Sequence, residues 1–429
     1  MKVVVVGLWH LGSVTAACLA AAGIDTIGLD DDVERVAALA RGEPPLYEPG
    51  LADLVRAGLA AGRLAFTTDA AAVAAADVVW ACHDTPVDDA DQADVDHVTR
   101  RIESLFEHVR DGAVVLVSAQ LPVGSVARLE RAYAAGWPGR RVSFACSPEN
   151  LRLGRAIQVF QNPGRIVVGV RDEAARGKLE PLLGRFSDRL IWMSIESAEM
   201  VKHALNAFLA TSITFTNEIA AICERVGADA GEVEAGLRSD PRVGPSAYVR
   251  SGPAFAGGTL ARDVNFLTTT AHHHGIAVPV LDGILASNRA HAKWALSHLR
   301  RELRPLAGRT VAILGLAYKA GTSSLRRSSA VELVRALLGE GAVVRAFDPQ
   351  VARLPDDLAA VTLAPGALAA AQGADAVVVS TDWPEFRALA ADDVARMMTG
   401  TTVLDPGRFL DGGFVSHPRI RLISVGRMP

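Results

Sequence analysis

The sequence predicts an α/β protein in which two doubly wound parallel sheets are joined by a long helix. Three observations support this fold class. Short apolar runs rich in β-branched residues alternate with helical patterns over about the first 195 residues. Residues 197–226 contain no Gly or Pro, and their apolar residues repeat with a helical period. The strand–helix alternation then starts again at Arg309 and continues towards the C-terminus.

The elements can be assigned in chain order. A buried strand at residues 3–6 ends at Gly7, and a helix follows from about Ser13 to Ala22, with Gly23 as its C′ residue. The second strand ends at Asp30. Further strands of the first sheet are predicted at residues 76–82, 113–118, 142–147 and 165–170. Strands of the second sheet are predicted in TVAILG, VVRAFD, ADAVVVST and TTVLDP. We therefore expect two Rossmann-like doubly wound domains joined by a long central helix, with boundaries at 1–195, 196–300 and 301–429.

Composition limits the partners that the chain can have. With 44 basic and 48 acidic residues, the net charge of −4 is too balanced to predict nucleic acid or an acidic membrane surface as a partner. No apolar segment reaches the ~20 residues of a membrane span, and MKVVVV is too short for a signal peptide. The four cysteines form no CxxC pair. The three adjacent histidines of the run AHHHG point in different directions on a helix, so they cannot bind one metal ion together. We expect a soluble, cytoplasmic protein with no metal, no nucleic acid and no membrane partner.

The first strand leads into a loop with two of the three glycines of a dinucleotide-binding G-x-G-x-x-G motif. Gly7 would permit the tight turn, and Gly12 the close packing of helix and strand. Trp9 occupies the position of the middle glycine, which normally lets the backbone approach the pyrophosphate. Asp30, 23 residues after Gly7, is placed to bind ribose hydroxyls and to repel the 2′-phosphate of NADP. The loop therefore predicts an NAD site that is altered at Trp9.

Seven further motifs come in a fixed order along the chain: LYEPGL, TPVDDADQADVDHV, PVGS, SPENLRLGRAIQVFQNPGRIVVG, AEMVKHALNAFLA, DPRVGPSAYVRSGPAFAGGTLARDV and GLAYKAGTSSLRRSSA. With them the chain resembles the UDP-glucose/GDP-mannose dehydrogenase family over essentially its whole length. The resemblance implies that the first domain binds NAD and that the last domain binds the nucleotide of a nucleotide-sugar. It also implies a homodimer that forms through the central helix.

The resemblance implies a reaction and shows where this sequence departs from it. Family members usually oxidise C6 of a hexose from alcohol to acid with two NAD, and a cysteine thiolate carries the intermediate as a thioester. The family motif G-P-G-F-G-G-S-C-F-P-K-D reads GPAFAGGTLARD here, so Thr259 occupies the cysteine position. A threonine hydroxyl needs an adjacent base to act as a nucleophile. We therefore expect the four-electron route to stall.

The resemblance also assigns site residues by position. Lys202 and Asn206 correspond to the lysine and asparagine that stabilise the oxyanion in the family. Asp263 and Glu149 correspond to its acids for protons and water, and Thr259 occupies the position of its nucleophile. Residues expected at the cofactor are Gly7, Trp9, Leu11, Gly12, Asp30, Arg35, Thr85, Pro86, Gln120, Arg262 and Arg326. Residues expected at the substrate are Glu149, Asn150, Leu151, Lys202, Asn206, Tyr248, Gly252, Phe255, Gly257 and Lys319. Other departures from the family pattern are Gln120 for Thr, Asn150 for Phe, Leu153 for Glu and Arg262 for Lys.

Three functions stay open at this stage. The first is an NAD-dependent oxidoreductase of a UDP-hexose-type nucleotide-sugar that performs a two-electron oxidation or a redox-neutral epimerisation. The second is a conventional 6-dehydrogenase that works without a cysteine, through an aldehyde hydrate. The third is a non-catalytic nucleotide-sugar-binding homologue that has lost NAD. The retained polar residues favour the first function over the third.

Overall fold

The structure is a computed structural model that describes residues 1–86, 88, 93–149, 151–410 and 412–427. It forms two units, Met1–Leu205 and Asn206–Pro429. Each unit is built around one sheet, as the sequence predicts. The predicted substrate residue Asn150 lies outside the described residues.

The N-terminal unit contains an eight-stranded sheet. Its strands are β1 (Lys2–Val6), β2 (Asp25–Leu29), β3 (Leu64–Thr67), β4 (Val78–Ala81), β5 (Val114–Val117), β6 (Ser143–Cys146), β7 (Ile166–Val170) and β8 (Leu190–Met193). The strand order is β3-β2-β1-β4-β5-β6-β7-β8, and every neighbouring pair is parallel except β6 and β7, which are antiparallel. The order reverses between β1 and β4. In a doubly wound sheet, ligands bind at the carboxyl ends of the strands at such a switch point.

Helices cover both faces of this sheet. They are α1 (His10–Ala21), α2 (Val33–Ala40), α3 (Leu51–Ala60), α4 (Val95–Glu103), α5 (Ser125–Gly136), α6 (Ala156–Gln161) and α7 (Glu173–Leu183). The valines of β1 show why the strand reads as one continuous apolar run. Val3 and Val5 belong to the core on one face of the sheet, and Val4 and Val6 belong to the core on the other face. Both faces of the strand are buried, as expected of a central parallel strand.

Helix α1 begins at His10, three residues before the predicted start at Ser13. Gly12 therefore lies in its first turn, where a Cβ would be only 1.8 Å from the carbonyl oxygen of Gly7. The helix can begin this close to β1 because residue 12 has no side chain. Gly23 has a φ of +80° just after the helix, in the left-handed region that favours glycine, so the predicted C′ glycine is confirmed.

The long helix that the sequence predicts is α8, which extends from Ile195 to Val226. Besides Met200 and Val226, this helix exposes three large apolar side chains, Phe208, Phe215 and Ile222. They are seven residues apart, which brings each one back to nearly the same face of the helix. No helix among the described residues is long and apolar enough to cross a membrane.

The rest of the C-terminal unit has a helical part followed by a six-stranded sheet. The helices between α8 and the sheet are α9 (Ala230–Ser239), α10 (Thr259–His273), α11 (Pro279–Ala292) and α12 (Trp294–Glu302). The strands are β9 (Thr310–Leu314), β10 (Val343–Phe347), β11 (Thr362–Leu363), β12 (Ala376–Val379), β13 (Thr402–Leu404) and β14 (Arg421–Ile423). The helices between these strands along the chain are α13 (Ser329–Gly339), α14 (Ala367–Ala371), α15 (Ala391–Met397) and α16 (Gly412–Ser416). The strand order β11-β10-β9-β12-β13-β14 is parallel throughout, so the second doubly wound domain is confirmed.

Candidate active site

The loop between β1 and α1 has the shape of a dinucleotide cradle. Gly7 has a φ of +86°, in the region that favours glycine, and its amide donates a hydrogen bond to the carbonyl of Leu29 on β2. A Cβ at Gly7 would be 2.9 Å from atoms of His83, and a Cβ at Gly12 would strike Gly7. Both glycines therefore fill the roles that the sequence assigns them. This loop lies at the switch point between β1 and β4, where a dinucleotide fits.

Asp30 directly follows β2 and is buried beside the same loop. Its carboxylate accepts hydrogen bonds from the amide of Leu8 at 2.6 Å and from the amide of Asp32 at 3.0 Å. Arg35 donates from Nη1 to both carboxylate oxygens at 3.0 Å, and its Nη2 lies 2.9 Å from Asp32. The guanidinium carbon of Arg35 lies 5.3 Å from the centroid of a Trp9 ring. The predicted ribose-binding acid is thus held rigidly, and Arg35 and Trp9 are its neighbours.

The loops that follow β4 and β5 carry the next cofactor predictions. Thr85 is buried, and its hydroxyl donates a 2.7 Å hydrogen bond to the carbonyl of Gln120, which ties the two loops together. The carbonyl of Pro86 accepts a hydrogen bond from Asp94 at 2.8 Å. Leu11 is buried in the first turn of α1. The predicted cofactor residues of this unit therefore lie on the loops and in the first helical turns that follow β1, β2, β4 and β5, which fits NAD.

Lys202 and Glu149 are brought together in the N-terminal unit. The ammonium group of Lys202 donates to the carbonyl of Glu149 at 2.6 Å and lies 3.6 Å from its Oε1. Glu149 Oε2 accepts from the amide of Leu151 at 2.6 Å. These contacts place a cation and a carboxylate, the two kinds of group that proton and oxyanion chemistry require, next to each other.

A cavity of about 20 Å³ beside Lys202 contains two groups that the sequence did not assign to the site. The Glu199 carboxylate accepts from the amides of Gly124 at 2.6 Å and Val126 at 3.0 Å, at the N-terminus of α5, and burial raises its pKa. Cys146 also lines the cavity, but burial and the charge of Glu199 hold the pKa of this thiol well above its usual range. Cys146 therefore stays a neutral thiol and does not replace the missing nucleophile.

In the C-terminal unit, Thr259 is the first residue of α10 and its side chain is exposed. Its hydroxyl makes no hydrogen bond to any residue that the structure describes in this unit. Asp263, one turn further along α10, is completely buried and accepts a hydrogen bond from the side-chain amide of Asn206. The structure thus brings the predicted Asn206 and Asp263 into contact, while no base among the described residues of this unit hydrogen-bonds to Thr259.

The loop before α10 is fixed by residues that the sequence analysis missed. The Gly252 amide donates to Asn217 Oδ1 at 2.9 Å, and the Gly252 carbonyl accepts from His291 Nε2 at 2.8 Å. Asn288, on the same helix as His291, accepts from the amide of Phe255 and donates to its carbonyl, each at 2.9 Å. Burial lowers the pKa of His291, so the ring donates in its neutral form. Tyr248, by contrast, is exposed.

The loop that joins β9 to α13 packs on the Gly257–Gly258 turn. A Cβ at Gly258 would lie 1.9 Å from Arg327 Nη1, and a Cβ at Gly257, where φ is +76°, would lie 3.4 Å from the Tyr318 ring. The Lys319 ammonium lies 5.6 Å from the centroid of that ring. The predicted residues Lys319 and Arg326 therefore belong to a loop that lies against the turn before Thr259.

The fold and these residues define a nucleotide-binding oxidoreductase with one doubly wound domain for a dinucleotide and another for a second nucleotide. Comparison with known proteins makes this specific. Models of the UDP-glucose/GDP-mannose dehydrogenase family match residues 1–187 as its NAD binding domain, 196–290 as its central domain and 312–412 as its UDP binding domain. The chain belongs to this family.

Individual relatives agree with this assignment. The chain is 36% identical to the UDP-glucose 6-dehydrogenase of Pseudomonas aeruginosa, over 97% of this chain and 96% of that protein. It is 34% identical to the UDP-glucose 6-dehydrogenase of Rhizobium meliloti over the full length of both. A UDP-glucose dehydrogenase structure from Pyrobaculum islandicum superposes with a TM-score of 0.88 at 30% identity, covering 100% of this chain and 98% of the other. The predicted family, NAD as cofactor and a nucleotide-sugar dehydrogenase activity are thereby confirmed.

Proposed function

We propose that this enzyme moves hydride between NAD and a UDP-hexose without forming a thioester. The reaction is then a two-electron oxidation, or a redox-neutral epimerisation in which the hydride returns to the opposite face. The observation that carries the proposal is Thr259, whose exposed hydroxyl has no hydrogen-bond partner among the residues described in its unit. A hydroxyl without a base is not an effective nucleophile at neutral pH.

The retained polar side chains have roles that suit such a reaction. NAD, when bound, supplies the acceptor for the hydride. The Lys202 ammonium and the Asn206 amide are proposed to stabilise negative charge on the substrate oxygen that loses its proton. Asp263 is proposed to take that proton, and its contact with Asn206 holds the carboxylate in one orientation. Glu149, which contacts Lys202, is proposed to position the ammonium group.

The choice of a UDP-hexose rests on the comparisons. The relatives are named as UDP-glucose 6-dehydrogenases, and residues 312–412 match a domain described as UDP binding. Lys319 and Arg326 provide cations on the loop between β9 and α13, where Lys319 is proposed to contact the nucleotide-sugar and Arg326 the cofactor. The Gly252–Gly257 loop, held by Asn217, Asn288 and His291, is proposed to face the sugar.

The reaction is tested by counting NADH per molecule of UDP-glucose consumed, with products identified by mass spectrometry. We expect at most one NADH and little UDP-glucuronate from the wild-type enzyme and from Thr259→Ala. Thr259→Cys should gain acid formation, because a thiol at a helix N-terminus has a lowered pKa. Two NADH in the wild type that are lost in Thr259→Ala would show that Thr259 is a nucleophile. Two NADH in both proteins would instead support the second candidate, a 6-dehydrogenase that works through an aldehyde hydrate; the name of the relative, UDP-glucose 6-dehydrogenase, favours a 6-dehydrogenase without indicating its route.

We also propose that residues 1–195 act as the NAD domain, residues 196–300 as the central domain and residues 301–429 as the nucleotide-sugar domain.

We further propose that two copies of the chain form a homodimer through α8. The exposed stripe Phe208, Phe215 and Ile222 supports the homodimer, because large apolar side chains on one helix face are a typical interface. Light scattering should show a dimer for the wild type and a monomer for Phe215→Glu. Val280→Glu, at another exposed apolar residue, is the control and should remain dimeric. A monomeric wild type, or a dimeric Phe215→Glu, would contradict the proposal.

A further inference from the structure

Trp9 takes the place of the middle glycine without distorting the loop. Its φ of −77° lies outside the left-handed region that favours glycine, and its carbonyl accepts a hydrogen bond from the amide of Ser13 at 3.0 Å in the first turn of α1. The backbone conformation therefore does not require a glycine here. What the substitution changes is the space in front of the loop, where the pyrophosphate of a dinucleotide lies.

The indole of Trp9 is turned towards the ribose-binding acid. It lies over Arg35, with 5.3 Å between the guanidinium carbon and the ring centroid, and Arg35 in turn holds both carboxylate oxygens of Asp30 at 3.0 Å. The side chain is 42% exposed and belongs to neither hydrophobic core of this sheet. We call these three side chains the Trp9–Arg35–Asp30 stack.

The adenosine half of a dinucleotide runs from the loop glycines to the acid that ends β2. The Trp9–Arg35–Asp30 stack covers this path, because Trp9 belongs to the loop at one end of the path and Asp30 is the acid at the other end. We infer that Trp9 is a gate on the adenosine site and that NAD reaches Asp30 only after the indole leaves Arg35. The stack thus lowers both the affinity for NAD and the association rate. This inference depends on NAD being the cofactor and not on the reaction proposed above.

Trp9 limits the affinity for NAD although its contact with Arg35 is weak. A cation–π contact at an exposed site accounts for roughly a two- to fivefold change in an equilibrium constant, and relief of the overlap with the cofactor adds to it. Removal of the ring should therefore tighten NAD binding by about fivefold or more. A ring that served as a platform for the adenine would have the opposite effect, since its removal would weaken binding.

The test measures NAD binding by titration calorimetry and association by stopped flow for the wild type, Trp9→Ala and Trp9→Gly. Both variants should lower the Kd by about fivefold or more and raise the association rate. Trp192→Phe is the matched control. Trp192 belongs to β8, at the far edge of the sheet, and its ring centroid lies 5.1 Å from the guanidinium carbon of Arg176. It should bind NAD as the wild type does.

Each other outcome would overturn the inference. An unchanged or higher Kd in Trp9→Ala and Trp9→Gly would show that the ring is inert or acts as a platform. Tighter binding in Trp9→Gly alone would show that the Cβ, and not the indole, crowds the pyrophosphate. Thermal unfolding of each variant verifies that it is folded, and no large loss is expected, because the Trp9 side chain makes no capping hydrogen bond that either variant would remove. Absence of NAD binding in all three proteins would also contradict a gate.

Discussion

His83 makes the stability of the NAD domain sensitive to mild acid. It follows β4, is only 7% exposed and packs on Gly7, where a Cβ would be 2.9 Å from the histidine ring. Its Nδ1 has no hydrogen-bond partner among the residues that the structure describes. Burial, and then the charge of Arg101, lower the pKa of His83 from 6.5 to about 4. The folded protein therefore holds this imidazole neutral at pH values where the unfolded chain protonates it.

The size of the effect follows from the two pKa values. The unfolded chain binds the proton near pH 6.5 and the folded protein near pH 4, so stability falls as the pH drops through this window. One pKa unit corresponds to about 1.4 kcal/mol, and the loss at pH 5 relative to neutral pH is about 2 kcal/mol. At pH 4 it approaches about 3 kcal/mol.

The assay compares urea unfolding of the wild type and His83→Leu at pH 7 and pH 5. Leucine removes the titration and the unpartnered nitrogen, so at pH 7 we expect little change or a small gain in stability. Between pH 7 and pH 5 the variant should lose about 2 kcal/mol less than the wild type. His273→Leu, at an exposed histidine, should keep the wild-type pH dependence. Equal pH dependence in the wild type and His83→Leu would refute the reasoning.

Three further predictions concern the loop, the site and the thiols. Gly12→Ala places a Cβ 1.8 Å from the carbonyl oxygen of Gly7, so thermal unfolding should show a loss of stability of about 1–3 kcal/mol or more. Calorimetry should show weaker NAD binding by this variant. A variant with normal stability and normal affinity for NAD would contradict this close approach. Asn288→Ala removes both hydrogen bonds to Phe255 and should cost about 2 kcal/mol while raising the Kd for UDP-glucose more than that for NAD. Equal effects on the two ligands would show that the role is only structural. All four cysteines are buried, so a chromogenic disulfide reagent should react with none in the native enzyme and with four in denaturant. A rapidly reacting native thiol would contradict this.

The sequence predicted ten of the fourteen strands that the structure describes but missed β3, β8, β11 and β14, and it did not indicate strand direction. Residues 165–170 were predicted as a strand and form β7, yet Ala145 and Cys146 pair with Val170 and Gly169 in antiparallel register. An apolar β-branched run indicates burial, whereas strand direction depends on how the connecting chain returns to the sheet. The start of α1 was missed for a similar reason. Ser13 has the side chain of a typical N-cap, but close packing through Gly12 lets the helix begin at His10.

The family motifs indicated residues that the structure places in contact, whereas the supporting helices carried no such signal. Glu149 and Lys202 are 53 positions apart and contact each other, as do Asn206 and Asp263. The sequence did not indicate these pairings, and the roles of the four residues stay predictions. Asn288 and His291 carry no such signal. They are ordinary polar residues on helix α11, and their role follows only from the geometry that brings them to the Gly252–Phe255 loop.

The retained and altered positions together favour an enzyme with a changed step over a protein that has lost catalysis. Asp263 is completely buried, and Asn206 is nearly so. Burial of a carboxylate lowers stability unless the surrounding groups compensate, and apolar replacements of buried charged groups are often neutral or stabilising. A chain released from catalysis would have no reason to maintain this arrangement. By contrast, Trp9 and Thr259 are exposed, where a substitution changes chemistry or affinity at little cost to the fold. The alterations thus lie where ligands are proposed to enter and react, while the buried polar groups that are proposed to take part in hydride transfer are kept.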